Sequence, residues 1–123
     1  MALNLPALVR SLKLQKRAAR VGFDWPEISQ VLDKIDEETK ELIEAKKTEP
    51  QERINEEFGD LMFSIVNLGR HLKVDPEEAL KQTNRKFITR SKFVEDSIRS
   101  QGGKMEDTTL EEMETLWKQA KNS

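Results

Sequence analysis

From Ile28 to Leu72 the apolar residues fall at helical spacing in two runs, split by the polar stretch "KKTEPQE" around Pro50. A repeat of three to four residues places one apolar stripe on one side of an α-helix and cannot sit on a strand. Proline ends a helix, because it lacks an N–H and crowds the preceding turn. The pattern predicts two long amphipathic helices joined by a short loop. Such helices are neighbours and antiparallel.

The rest of the chain reads the same way. "LPALVRSLKLQKRAARV" carries Leu5, Leu8, Val9, Leu12 and Ala19 at helical spacing, and Gly22 ends it. In "FDWPEI", Asp24 is the expected N-cap, Pro26 sits in the first turn and Glu27 completes a capping-box pair. Asp75, Pro76 and two acids open a fourth helix, striped by Leu80, Phe87, Val94 and Ile98. "SQGGKMED" is the expected flexible stretch, after which Thr109 and Glu112 cap a last helix with Leu110, Met113 and Leu116. The expectation is an all-α chain, an antiparallel bundle of about five helices in a single domain spanning 1–123, with part of its core shared between copies.

Composition narrows the classes. Hydrophobic and charged residues are each 36% of the chain and the net charge is −2, so no basic excess calls for nucleic acid. No cysteine is present for a disulfide or a thiolate metal site, and no apolar run reaches membrane-spanning length. The N-terminal stretch lacks the apolar core and cleavage site of a signal peptide, so a cytoplasmic location is expected.

The acids are the informative residues. On helix two, Ile28, Val31, Leu32, Ile35 and Leu42 form the apolar face. Glu38 falls on its edge, Glu41 lies one step further round and Glu37 points away. On helix three, Ile54, Leu61, Ile65, Leu68 and Leu72 form the face. Glu57 falls on its edge, Asp60 just beyond, and Ser64, Asn67 and His71 continue that flank. Side by side, the two helices bring Glu38, Glu41, Glu57 and Asp60 together. Converging carboxylates repel unless compensated, and a hard cation such as Mg²⁺ takes such ligands together with substrate phosphates. A flank of acids is also what an ordinary solvated helix face shows, and residue pattern alone leaves both readings open. A di-iron bundle would need Glu-x-x-His pairs, and the single histidine, His71, follows Leu68 at that distance.

Bases supply a complementary charge. Lys86 and Arg90 lie four apart on helix four, with Asn84 on the other side of Phe87. Trp117 and Lys121 repeat the spacing on the last helix, as a packing aromatic with a surface lysine or as a base-stacking pair. Gly102-Gly103 lacks the lysine and hydroxyl of a P-loop, and one histidine makes no serine-hydrolase triad credible.

"VGFDWPEISQVLDKIDEETKELIEA", "EEFGDLMFSIVNLGRHLKVDPEEALKQTNRKF" and "LEEMETLWKQAK" together resemble the MazG family of nucleoside triphosphate pyrophosphohydrolases, from about residue 10 to 121. The family's EExxE and ExxD stand here as Glu37, Glu38, Glu41, then Glu57 and Asp60. The resemblance implies an all-α fold and Mg²⁺-dependent hydrolysis of nucleoside triphosphates, non-canonical ones among them, to the monophosphate and pyrophosphate. It makes Glu38, Glu41, Glu57 and Asp60 metal ligands, with Glu38 or Glu41 also directing the water. It makes Asn84, Lys86, Arg90, Trp117 and Lys121 nucleotide contacts. Long MazG proteins carry two such domains. This chain resembles the C-terminal copy, either as a natural short form or as an excised domain. A homodimer or homotetramer is implied, with no nucleic acid or membrane partner. The alternatives within reach are a dUTPase, dCTPase or phosphoribosyl-ATP type of pyrophosphatase, or a non-catalytic dimerisation or regulatory module.

Overall fold

A computed structural model describes residues 5–122. The described residues form five α-helices and one short 3₁₀ turn, with no strand among them. The helices are α1 (Ala7–Arg20), α2 (Ile28–Thr48), α3 (Gln51–His71), α4 (Pro76–Ser100) and α5 (Leu110–Lys121). Two compact units divide the chain, the first ending at Ala79 and the second starting at Leu80.

In the first unit, α2 and α3 pack along each other as the hairpin that the sequence predicts, and α1 packs against α3. Only Glu49 and Pro50 separate α2 from α3, so the two helices run antiparallel. Val31, Ala45 and Val66 are the buried apolar residues here. The surprise is α3. Its buried residues are Glu57, Ser64, Val66 and Asn67, while Phe58, Met62, Ile65 and Leu72 stay about half exposed. Of the face expected to form the core, Ile54, Leu61 and Leu68 are half-buried and Ile65 and Leu72 exposed, while Glu57, Ser64 and Asn67 of the expected flank turn inward. Leu32 and Ile43 on α2 are likewise exposed. Three helices cannot enclose stripes on every side, so one copy buries the seam and leaves the outer apolar faces uncovered.

Helix ends follow local chemistry. Asp75 Oδ1 accepts from the N–H groups of Glu77 (3.0 Å) and Glu78 (3.2 Å), as expected of the cap of α4. Thr109 Oγ1 accepts from Glu112 N–H at 3.1 Å and starts α5. Asp24, by contrast, does not cap α2. The helix begins at Ile28, after Pro26 rather than around it, and Glu27 N–H donates to Gln30 Oε1 at 3.2 Å. Asp24 instead meets Arg70 and His71. A half-buried guanidinium needs an anion more than an exposed helix end needs a cap.

At the end of α1, Gly22 N–H donates to Ala19 O (3.1 Å) and Phe23 N–H to Ala18 O (3.0 Å). This is a Schellman motif with Gly22 at φ +89°. The same pair of bonds closes α3, where Val74 N–H reaches Gly69 O at 2.8 Å and Lys73, not a glycine, holds φ +59°.

The second unit packs the rest of α4 with α5, and Val94 and Ile98 are buried. Phe87 and Trp117 rings sit 5.5 Å apart at 51°. The stretch expected to be flexible contains the 3₁₀ turn Met105–Asp107.

Candidate metal centre and its cleft

Glu38, Glu41 and Glu57 each offer a carboxylate oxygen within 4.8 Å of the others. Helix geometry explains this. Glu38 and Glu41 are three apart on α2 and share its α3-facing side, and Glu57 faces them from α3. Glu38 and Glu57 are buried and Glu41 is exposed. Asp60 is not in this group. It is exposed on the next turn of α3 and lines, with Glu38, a cleft of about 680 Å³.

The two buried glutamates are held alike. Glu38 Oε1 meets Lys34 Nζ at 2.9 Å, and Glu57 Oε1 accepts from Arg53 Nη2 at 2.9 Å. In both, the remaining oxygen, Oε2, is buried with no hydrogen-bond partner. A buried, unpaired carboxylate oxygen is costly, so each is an acceptor awaiting a donor or a cation. The local desolvation and the Glu38 and Glu57 carboxylates push the Glu41 carboxyl above the ordinary carboxylate range. The hydrogen bond to Glu38 holds Lys34 above its ordinary value. Three crowded carboxylates with two orphaned oxygens fit a divalent cation. Hard oxygen donors on two adjoining helices are the chemistry such an ion takes.

The cleft also carries residues that motif reading passed over. Gln15 of α1 is buried and donates from Nε2 to the Phe63 main-chain oxygen at 2.9 Å, tying α1 to α3. Arg70 donates to Asn67 Oδ1 from Nε (3.2 Å) and Nη2 (2.7 Å), and to Asp24 Oδ1. His71 Nε2 lies 3.1 Å from Asp24 Oδ1. The Arg70 hydrogen bond, with that of His71, holds the Asp24 carboxyl below its ordinary value against the opposing effect of burial. Lys34–Glu38 and Arg53–Glu57 were visible as four-residue spacings, but base-before-acid pairs are common and weak on exposed helices. Nothing local signals the Asp24–Arg70 pair, which spans 46 positions.

The remaining predicted residues lie in the second unit. Asn84, Lys86 and Lys121 are exposed, and Arg90 and Trp117 are half-buried. Arg90 stands over the Trp117 ring, 6.0 Å from its centroid. Trp117 is thus packed between Phe87 and a cation.

A helical hairpin that gathers three glutamates from both arms, two of them with a buried unpaired oxygen, is compatible with a divalent metal site. The sequence profile of the MazG nucleotide pyrophosphohydrolase domain matches residues 27–95, a span that contains every one of these acids, and the chain belongs to that family. It is 48% identical over 117 residues to the nucleoside triphosphate pyrophosphohydrolase/pyrophosphatase MazG of Thermotoga maritima, covering 95% of this chain and 45% of that protein. It is 45% identical over 120 residues to the nucleoside triphosphate pyrophosphohydrolase of Escherichia coli K12, covering 96% of this chain and 46% of that one. A third relative, the uncharacterized protein YabN of Bacillus subtilis, is 43% identical over 73 residues, 59% of this chain and 15% of its own. The chain spans less than half the length of these curated relatives.

Proposed function

We propose that the chain is a Mg²⁺-dependent nucleoside triphosphate pyrophosphohydrolase that yields the monophosphate and pyrophosphate, with non-canonical nucleotides among its substrates. The observation that carries this is the pair of orphaned oxygens on Glu38 and Glu57 beside Glu41, in a chain of the MazG family. Glu38, Glu41 and Glu57 would hold the ion, with Asp60 completing the set from the next turn of α3. The ion, when bound, screens the negative charge of the polyphosphate. A water oxygen bonds to the α-phosphorus as the bond to the bridging oxygen of pyrophosphate breaks. Glu41 is the one of the three acids open to solvent, so it orients that water and takes its proton. Lys86 and Arg90 are assigned to the phosphates, and Asn84, Trp117 and Lys121 to the rest of the nucleotide.

Residues 1–123 are proposed to work as one functional domain and to assemble as a homodimer or homotetramer. The exposed Phe58, Met62 and Ile65 on α3 support a partner copy. No helix among the described residues is long and apolar enough to cross a membrane. We assign the chain to the cytoplasm, with no nucleic-acid or membrane partner.

Pyrophosphate release from a panel of canonical and non-canonical NTPs and dNTPs, with Mg²⁺ and with EDTA, tests the reading. Metal-dependent pyrophosphate with matching monophosphate is the expected result. Release confined to dUTP or dCTP would move the chain to a specialised pyrophosphatase. Orthophosphate would place the cut at the γ-phosphorus, and no release would leave a non-catalytic module.

A further inference from the structure

Two short runs on the facing arms of the hairpin share one pattern: Lys34-Ile35-Asp36-Glu37-Glu38 on α2 and Arg53-Ile54-Asn55-Glu56-Glu57 on α3. Each is a base, an isoleucine, a small polar residue and a pair of glutamates. Both runs fold into the same arrangement. The base reaches the buried second glutamate at 2.9 Å, Lys34 to Glu38 and Arg53 to Glu57. It also reaches the exposed first glutamate, Lys34 to Glu37 at 3.6 Å and Arg53 to Glu56 at 2.8 Å. Glu37 and Glu56 stand outside the metal group, so the first acid of each pair steadies a base and the second faces the centre.

Each buried glutamate is thereby left with one oxygen to give. Glu38 is 5% exposed and Glu57 7%, and in each Oε1 is held by the base while Oε2 is buried without a partner. Divalent cations differ in what they accept from such a carboxylate. Mg²⁺ demands a small, near-octahedral shell, takes few carboxylates and keeps several waters. Ca²⁺ takes more oxygens in a looser shell and readily grips both oxygens of one carboxylate.

We propose that Lys34 and Arg53 are metal-selectivity residues: by holding Oε1 of Glu38 and of Glu57, they restrict each glutamate to a single donor and tune the centre to Mg²⁺ over Ca²⁺. The inference rests on the metal reading above. The two bases also repel any divalent cation, but that repulsion acts on Mg²⁺ and Ca²⁺ alike and cancels in the ratio of their affinities. The number of oxygens set free when a base is removed does not cancel. Lys34 is half-buried and Arg53 exposed, so methionine at either position opens no hole in the core, and its thioether cannot donate to Oε1.

The test uses nucleotide-free protein. Tb³⁺, a luminescent ion that binds as Ca²⁺ does, is loaded into the wild type, Lys34→Met, Arg53→Met and Arg53→Lys. Mg²⁺ and Ca²⁺ then displace it, and the displacement midpoints give the ratio of their affinities. Luminescence lifetimes in H₂O and D₂O count the waters that Tb³⁺ retains. In each methionine variant the affinity for Ca²⁺ relative to Mg²⁺ is expected to rise about tenfold, the low end of what outer partners of metal ligands control. The bound Tb³⁺ should lose about one water, as the freed carboxylate oxygen takes its place. Arg53→Lys should keep the wild-type ratio, because an ammonium can hold the same oxygen. An unchanged ratio and water count in both methionine variants, or an equal loss of affinity for both ions, would overturn the inference while the wild type still binds Mg²⁺. A wild type that binds no metal ion removes the parent reading and this one with it. The two runs lie on different helices, so if one methionine variant fails to fold, the other carries the test alone.

Discussion

Glu38 and Glu57 mirror each other across the α2–α3 seam: each gives one oxygen to a base four residues earlier in its own helix, at 2.9 Å, and buries the other without a partner. The bases hold the carboxylates in place without saturating them. Lys34 and Arg53 thereby keep two charged acids inside a seam where charge alone would be costly.

Replacing one of these acids should separate metal binding from folding. Glu38→Gln is expected to lower pyrophosphate release by at least about a hundredfold, beyond what loss of an outer partner of a metal ligand costs. The wild-type melting temperature should rise with Mg²⁺, because a ligand that binds only the folded state stabilises it. That rise should vanish in Glu38→Gln while the helical circular dichroism stays unchanged. An equal Mg²⁺ shift in both proteins would remove Glu38 from the ligand set.

Asp24 should give the fold an acid-sensitive element. Its folded-state carboxyl is held below the ordinary 3.8 by Arg70, with His71 also facing it. A lowered carboxyl contributes stability that is fully present above the ordinary value and is lost as pH falls through the folded one. Denaturant midpoints of the wild type should therefore fall more steeply below pH 3.8 than those of Asp24→Asn, and the variant should be the less stable of the two at neutral pH. Parallel curves would show that the ion pair contributes nothing.

Gly22 and Lys73 occupy the same left-handed position at two helix ends, and their substitutions should have opposite signs. Gly22→Ala has room for its methyl group but must adopt φ +89°, at a cost of about 1 kcal/mol. Lys73→Gly relieves that strain at φ +59°, offset by extra freedom of the unfolded chain, for a net gain of roughly 0.5 kcal/mol. Chemical denaturation of the two variants checks both signs.

Thr109 is the side-chain cap of α5, accepting from Glu112 N–H at 3.1 Å. Thr109→Ala should cost about 1 kcal/mol, and Thr109→Ser or Thr109→Asp should restore most of it. Amide exchange at Leu110–Glu112 should speed up in the alanine variant. Unchanged exchange would mean that the second unit does not depend on this cap.

The sequence by itself determined the helices, because their causes are local. Spacing of Ile28, Val31 and Ile35 fixes a helical period, Pro50 forces the break, and Asp75 and Thr109 satisfy N–H groups within three residues of themselves. It also placed Glu38 and Glu57 at the edge of their stripes, since a helical wheel needs only residue numbers. Which side of α3 would be buried was decided by the tertiary structure. Ser64 and Asn67 turn inward and Ile65 outward because α1 and α2 approach α3 from one direction only, and a wheel cannot say where neighbours stand. The same limit hid Asp24. Its spacing reads as a helix cap, but folding brings Arg70 to it across 46 positions, and a charge partner in a half-buried site outweighs an exposed backbone N–H. Local hydrogen bonding and periodicity are written in adjacent residues; the pairing of distant charges and the choice of buried face exist only once the helices have packed.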